Sequence, residues 1–108
     1  MNIKIKIYST KAGKEPFSEW EEDLDQKVRA IIRNRLDRIG LGNFGDAKMI
    51  KGAEGIWELR IDYGPGYRIY FGKKGFTIVL LLMGGEKKSQ ARDIEKANRY
   101  WLDGKESL

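Results

Sequence analysis

Trp57-Glu58-Leu59-Arg60-Ile61-Asp62-Tyr63-Gly64-Pro65-Gly66-Tyr67-Arg68-Ile69-Tyr70-Phe71 decides the fold. Trp57, Leu59, Ile61 and Tyr63 alternate with Glu58, Arg60 and Asp62, the period of a half-buried strand. Tyr67, Ile69 and Phe71 alternate in the same way with Arg68 and Tyr70. Between the two runs, Gly64-Pro65-Gly66 is turn chemistry, so the stretch reads as an antiparallel hairpin. With the turn centred on Pro65, Asp62 falls opposite Arg68 and Arg60 opposite Tyr70. By parity Tyr63, Tyr67 and Phe71 share the buried face of Ile61 and Ile69. Arg60, Arg68 and Tyr70 are left on the outward face.

Downstream, Lys73-Lys74-Gly75 reads as a tight turn and carries no function, because lysine is common at turn tips. Phe76 to Met83 is apolar on both faces, as expected of an interior strand covered on both sides, and Gly84-Gly85 ends it. Ser89 is placed to cap a last amphipathic helix, whose buried stripe is Ile94, Ala97 and Trp101. Upstream, Ile3, Ile5 and Ile7 alternate with Lys4, Lys6 and Tyr8 in a first strand. This lysine–isoleucine alternation from Met1 is not the pattern of a signal peptide or a membrane span. Pro16 suits the first turn of a short helix bearing Phe17, Trp20 and Leu24. Asp25 is a candidate cap for a second helix with Val28, Ile31, Ile32, Leu36 and Ile39 on one side. Lys27, Arg29, Arg33, Arg35 and Arg38 form its solvated face. Gly40, Gly42 and Gly45 stop that helix, and an irregular, exposed connection follows to Gly55. The expected chain is one domain over residues 1–108 with the order β-α-α-β-β-β-α. It is an α+β protein with a small, mainly antiparallel sheet and helices packed on one face.

Composition narrows the chemistry. Among 108 residues there is neither cysteine nor histidine, which excludes thiolate and imidazole catalysis and the usual zinc sites. No convincing grouping of carboxylates or phosphate-loop glycines stands out, so neither a metal nor a cofactor is expected. Absence of cysteine is compatible with a reducing cytosol, and the cytoplasm is the expected location. The formal charge of +5 favours an anionic partner, nucleic acid first and an acidic protein second.

Basic residues cluster in three places. Arg60 and Arg68 share the hairpin face, where the bland reading is a solvated arginine and a cross-strand partner for Asp62. Lys87, Lys88 and Arg92 surround the start of the last helix. Its free N–H groups and positive dipole end make an anion site, unless Glu86 and Asp93 compensate internally. Lys48 and Lys51 lie in the irregular connection and are further candidates for RNA contact. Tyr70 is the one outward aromatic placed to stack a base.

The segments Gly55-Ile56-Trp57-Glu58-Leu59-Arg60-Ile61-Asp62 and Gly66-Tyr67-Arg68-Ile69-Tyr70-Phe71 resemble the central hairpin of RelE/ParE-superfamily toxins. Leu80-Leu81-Leu82-Met83-Gly84-Gly85-Glu86-Lys87-Lys88-Ser89-Gln90, with Asp93, Ile94 and Ala97, is similar to the HigB-like "addiction module killer" branch. These are the toxins of type II toxin-antitoxin and plasmid stabilization modules. The resemblance implies a RelE-like fold and a cognate antitoxin, held in a toxin-antitoxin hetero-oligomer with no membrane involved. It also implies a metal-independent, ribosome-dependent endoribonuclease (an mRNA interferase, a hydrolase) that cuts mRNA and inhibits translation. Arg68 matches the arginine that contacts the scissile phosphate, and Arg60 a basic position with a phosphate-binding or base role. Lys87 or Lys88 matches the basic residue after the interior strand. Arg92 stands about where some RelE members carry a catalytic tyrosine, for which Tyr100 is the alternative. Glu58 and Asp62 depart from the pattern, standing where the best-known RelE toxins have lysine and arginine. Two further readings therefore stand: a ParE-like DNA gyrase inhibitor, and a non-catalytic nucleic-acid-binding relative. The nuclease reading expects Arg68→Ala to fold and bind antitoxin but not to cleave.

Overall fold

The computed structural model describes residues 2–108. Strand β1 (Lys4–Ile7) leads through a loop into α1 (Pro16–Glu22), which begins on Pro16 as its sequence predicts. Helix α2 (Gln26–Gly40) buries Val28, Ile32, Leu36 and Ile39, with Ile31 partly buried beside them. Three strands follow in the meander: β3 (Ile56–Ile61), β4 (Tyr67–Lys74) and β5 (Ile78–Glu86). A 3-10 turn, Lys87–Ser89, opens into α3 (Gln90–Gly104), and a second such turn spans Lys105–Ser107.

Two differences enlarge the sheet. The connection after α2 is not wholly irregular: Ala47–Met49 forms a short edge strand, β2, antiparallel to β3. Nor do the Gly84-Gly85 pair end β5, which runs on to Glu86. The strand order is β1-β5-β4-β3-β2, with β1 parallel to β5 and every other pairing antiparallel. Lys73 and Lys74 belong to β4, opposite Val79 and Ile78, so the turn moves on to Gly75-Phe76-Thr77.

The helices do not all lie on one face of the sheet. Helices α1 and α2 cover one side, where Phe17, Ile32 and Ile39 meet Leu59, Ile69, Phe71, Val79 and Leu81. Helix α3 covers the other, where Ala97 and Trp101 meet Tyr8, Ile56, Tyr70, Leu80 and Leu82. The two glycines of β5 are explained by this double covering. A Cβ on Gly84 would lie 2.2 Å from the Trp20 ring, and one on Gly85 would lie 2.0 Å from an Asp93 carboxylate oxygen. They admit close approach from opposite faces where the sequence reads as a strand end.

The hairpin register also differs. Arg60 pairs with Arg68 and Glu58 with Tyr70, while Asp62 lies beyond the end of β3. The turn spans Asp62 to Gly66, with Gly64 and Gly66 at positive φ. It therefore shifts the expected pairing by two residues and keeps side-chain parity.

Candidate functional site: a basic cleft at the hairpin end of the sheet

On the face that α3 covers, the side chains form rows across the strands. Helix α3 buries the rows through Tyr70 and Gly72, and its first turn reaches the next row, Arg60-Arg68-Gly85, only at Gly85, against Asp93, so that Arg60 stays partly exposed. Two arginines thus stand directly opposite each other at the open end of the sheet. Like charges in that relation repel, so such a pair persists only with compensation.

Each arginine has its own carboxylate. Arg60 donates from Nη2 (2.9 Å) and Nε (3.3 Å) to Oδ1 of Asp46, and both residues are exposed enough to part. Arg68 is buried, as is its partner Glu58, whose Oε1 lies 3.8 Å from the Arg68 Nε, an ion-pair contact too long for a hydrogen bond. Arg68 also donates from Nη1 to the Tyr67 carbonyl at 3.2 Å. Gln90 Nε2 donates to the other Glu58 oxygen at 2.5 Å.

Lys87 completes the group. Its backbone N–H donates to the Gly66 carbonyl at 2.9 Å, fixing the start of the 3-10 turn against the hairpin. A Cβ on Gly66 would stand 3.3 Å from the Lys87 Cβ, so the glycine serves both the turn, at φ +83°, and this packing. Arg60, Arg68 and Lys87 line one cleft of about 430 Å³ with Asp46, Asp62 and the Gly64-Pro65-Gly66 turn. Among the described residues, Lys87 makes no ion pair.

The remaining expected site residues are not in this cleft. Lys88 faces Glu86 at 3.6 Å and lines a separate hollow with Arg92. Asp93, in the first turn of α3, is buried and accepts a 2.5 Å hydrogen bond from the Ser89 hydroxyl. Glu86 and Asp93 thus answer the cations and the helix end internally, and Ser89 makes no capping bond to the helix backbone. Asp25 likewise stands at the N-cap of α2 without a capping bond. Lys48 and Lys51 are exposed and line an adjoining hollow with Glu58 and Gln90. Tyr70 is 0% exposed, which removes the base-stacking surface expected of it. Parity put it on the outward face correctly, but that face lies under α3. Burial, reinforced by the Glu58 and Asp93 carboxylates, pushes its phenol well above the usual tyrosine range. A further hollow of about 420 Å³, between β1 and the end of α3, contains none of the expected site residues.

Asp46, Glu58 and Gln90 were absent from the sequence-derived set. Glu58 had a signal, sharing the face of Arg60 by parity. Asp46 had none, since its contact with Arg60 depends on the unforeseen strand β2.

Comparison with known proteins agrees with this architecture. The family described as phage derived protein Gp49-like (DUF891) matches residues 19–101. An uncharacterized protein of Haemophilus influenzae is 41% identical over 98 residues, 90% of this chain and 91% of that one. Among solved structures, a mutant of the Escherichia coli toxin RelE in the free state superposes with a TM-score of 0.63 at 15% identity. That match covers 91% of this chain and 95% of RelE. The RelB-RelE antitoxin-toxin complex of Methanococcus jannaschii gives 0.58 at 18% identity, over 81% of this chain and 98% of that one. The chain belongs to the Gp49-like (DUF891) family and has the fold of the RelE/ParE-like toxin superfamily.

Proposed function

We propose that the protein is the toxin of a type II toxin-antitoxin module, an endoribonuclease that cuts mRNA on the ribosome, with Arg60, Arg68 and Lys87 as its working residues. One observation carries this reading: three cations converge on one open cleft, two of them directly opposed across a strand pair. Asp46 and Glu58 offset the two arginines in the free protein, and a phosphate diester is suited to take the place of the exposed carboxylate, Asp46. The shared RelE fold and the antitoxin-toxin complex among the structural neighbours support a cognate antitoxin partner.

Cleavage of this kind removes the proton of a ribose 2′-hydroxyl, and its oxygen attacks the adjacent phosphorus. The bond to the 5′-oxygen of the next nucleotide breaks, leaving a 2′,3′-cyclic phosphate and a protonated 5′-hydroxyl. Arginine remains cationic throughout and suits the charge that builds on the phosphorane, the role assigned to Arg60 and Arg68. Lys87, with no carboxylate on it, is assigned the proton transfer: as the free amine it takes the 2′-hydroxyl proton, and as the ammonium it passes that proton on to the leaving 5′-oxygen. Lys88 and Arg92 are assigned to peripheral contact with RNA or ribosome, as are Lys48 and Lys51. A phosphate entering the cleft displaces Asp46 from Arg60, a partly exposed pair of the kind that is worth at most about 1 kcal/mol.

The test is cleavage of a defined mRNA in a translating extract, with new 5′ ends read by primer extension. New ends confined to the translated frame, reduced about 100-fold by Arg60→Ala, are expected. The Arg60 backbone keeps its bonds to Asp46 and Arg35 in that variant, so folding is preserved. Intact transcripts accompanied by replication arrest in expressing cells would favour gyrase as the target.

A further inference from the structure

Glu58 is 1% exposed, in the middle of β3, on the side that α3 covers. A carboxylate in such a place loses its hydration and needs partners to replace it. It has two. Gln90, the first residue of α3, donates to Oε2, and Oε1 faces the Arg68 Nε. Arg68 is held on a second side by the Tyr67 carbonyl, and its Nη1 lies 3.9 Å from where a Cβ of Gly66 would sit, at the cleft.

The two arginines of the cleft therefore differ in kind. Asp46 is exposed and can leave Arg60 when a phosphate arrives. Glu58 is buried and hydrogen-bonded to Gln90 of α3, so it lacks the freedom that Asp46 has to swing away from its arginine. A fixed buried partner restricts the rotamers of a long side chain before substrate binds, which is the preorganisation that a phosphate-binding arginine needs.

We propose that Glu58 is a positioning residue, a buried carboxylate anchored by Gln90 that holds the Arg68 guanidinium toward the cleft in the free protein. This deepens the reading of the cleft as an RNA-phosphate site and rests on it. Glu58 itself does not reach the substrate; it acts through Arg68.

The test combines a measurement that needs no cleavage with one that does. In protein labelled with nitrogen-15, the Arg68 Nε–H resonance is assigned by its loss in Arg68→Lys, and its exchange with water is timed. Slow exchange is expected in the wild type and about tenfold faster exchange in Glu58→Gln, which keeps the side chain's shape and removes its charge. In single-turnover cleavage of ribosome-bound mRNA, Glu58→Gln is expected to lower the rate constant about tenfold with little change in RNA affinity. Adding Glu58→Gln to Arg68→Lys should bring no further loss. Should Glu58→Gln not fold, Gln90→Ala makes the same comparison by freeing the other carboxylate oxygen, with a smaller change of the same sign. Equal Nε–H exchange in wild type and variant, or equal cleavage rates, overturns the proposal. Failure of the nuclease reading looks different: wild type leaves mRNA intact while Arg68 remains protected in a Glu58-dependent way.

Discussion

Arg60 and Arg68 occupy one row of the sheet, yet removing them has different consequences. Arg60→Ala removes an exposed side chain and should leave the melting temperature nearly unchanged. Arg68→Ala leaves Glu58 buried without its cation and should cost on the order of 3 kcal/mol in a denaturant titration, whatever it does to cleavage. The expectation that Arg68→Ala simply folds and loses activity is revised accordingly. Tyr70 lies beneath α3, and its hydroxyl has no hydrogen-bond partner among the described residues. Tyr70→Phe should therefore be neutral or stabilising by up to about 1 kcal/mol and leave RNA binding intact. A loss of RNA affinity on that change would give the Tyr70 hydroxyl a part in RNA binding. Tyr8 is the opposite case. Its hydroxyl donates to Asp103 at 2.6 Å, and burial with that carboxylate pushes its pKa from 10.0 up to about 12. A raised folded-state value means the stabilisation is complete below pH 10 and is lost as pH rises toward about 12. Tyr8→Phe should melt lower than wild type at neutral pH, and the gap should close across that window. A gap constant with pH would contradict the assignment.

Among the elements, the hairpin, the three helices and the meander were legible because hydrophobic period and turn residues are local signals. Ile69 and Phe71 alternate with Arg68 and Tyr70 whatever the rest of the chain does. What was illegible depended on partners distant in sequence. The two-residue shift that puts Arg68 opposite Arg60 follows from how the turn closes, and parity, being unaffected, could not reveal it. Strand β2 is three residues long, too short to show a period. The burial of Tyr70 required knowing which face α3 chooses. The glycines of β5 looked like punctuation because their reason lies in Trp20 and Asp93, on other elements. Gly72 follows the same logic, since a Cβ there would stand 2.2 Å from the Trp101 ring. Gly72→Ala should displace α3 and destabilise by about 1–3 kcal/mol, measured by urea unfolding, whereas Gly75→Ala meets no neighbouring atom and strains only its turn. Equal costs at both positions would mean that the Trp101 contact does not govern packing. Of the candidate site, Arg60, Arg68 and Lys87 were readable as basic residues at the right parity or helix end. Their carboxylate partners were not.

For the whole molecule, the surplus of +5 is divided unevenly: α2 carries a solvated basic face, while the cleft gathers cations from β3, β4 and the turn before α3. Charge alone predicts an anionic partner, and convergence predicts where it sits. On the proposed RNA reading, each cation that neutralises a phosphate contributes roughly −0.7 to the slope of the logarithm of single-stranded RNA affinity against that of salt concentration, so the three of the cleft contribute roughly −2. Arg60→Ala should reduce that slope by roughly 0.7, while Arg29→Ala, on α2, should not change it. An unchanged slope in the first variant would move RNA away from the cleft. We propose that this cleft cuts translated mRNA. The most direct measurement maps transcript 5′ ends across the cell after brief induction of wild type and of Arg60→Ala at equal protein levels. New ends confined to translated reading frames are expected with the wild type, and almost none with the variant. Wild-type and variant maps that match, or transcripts that remain intact while growth stops, would contradict it.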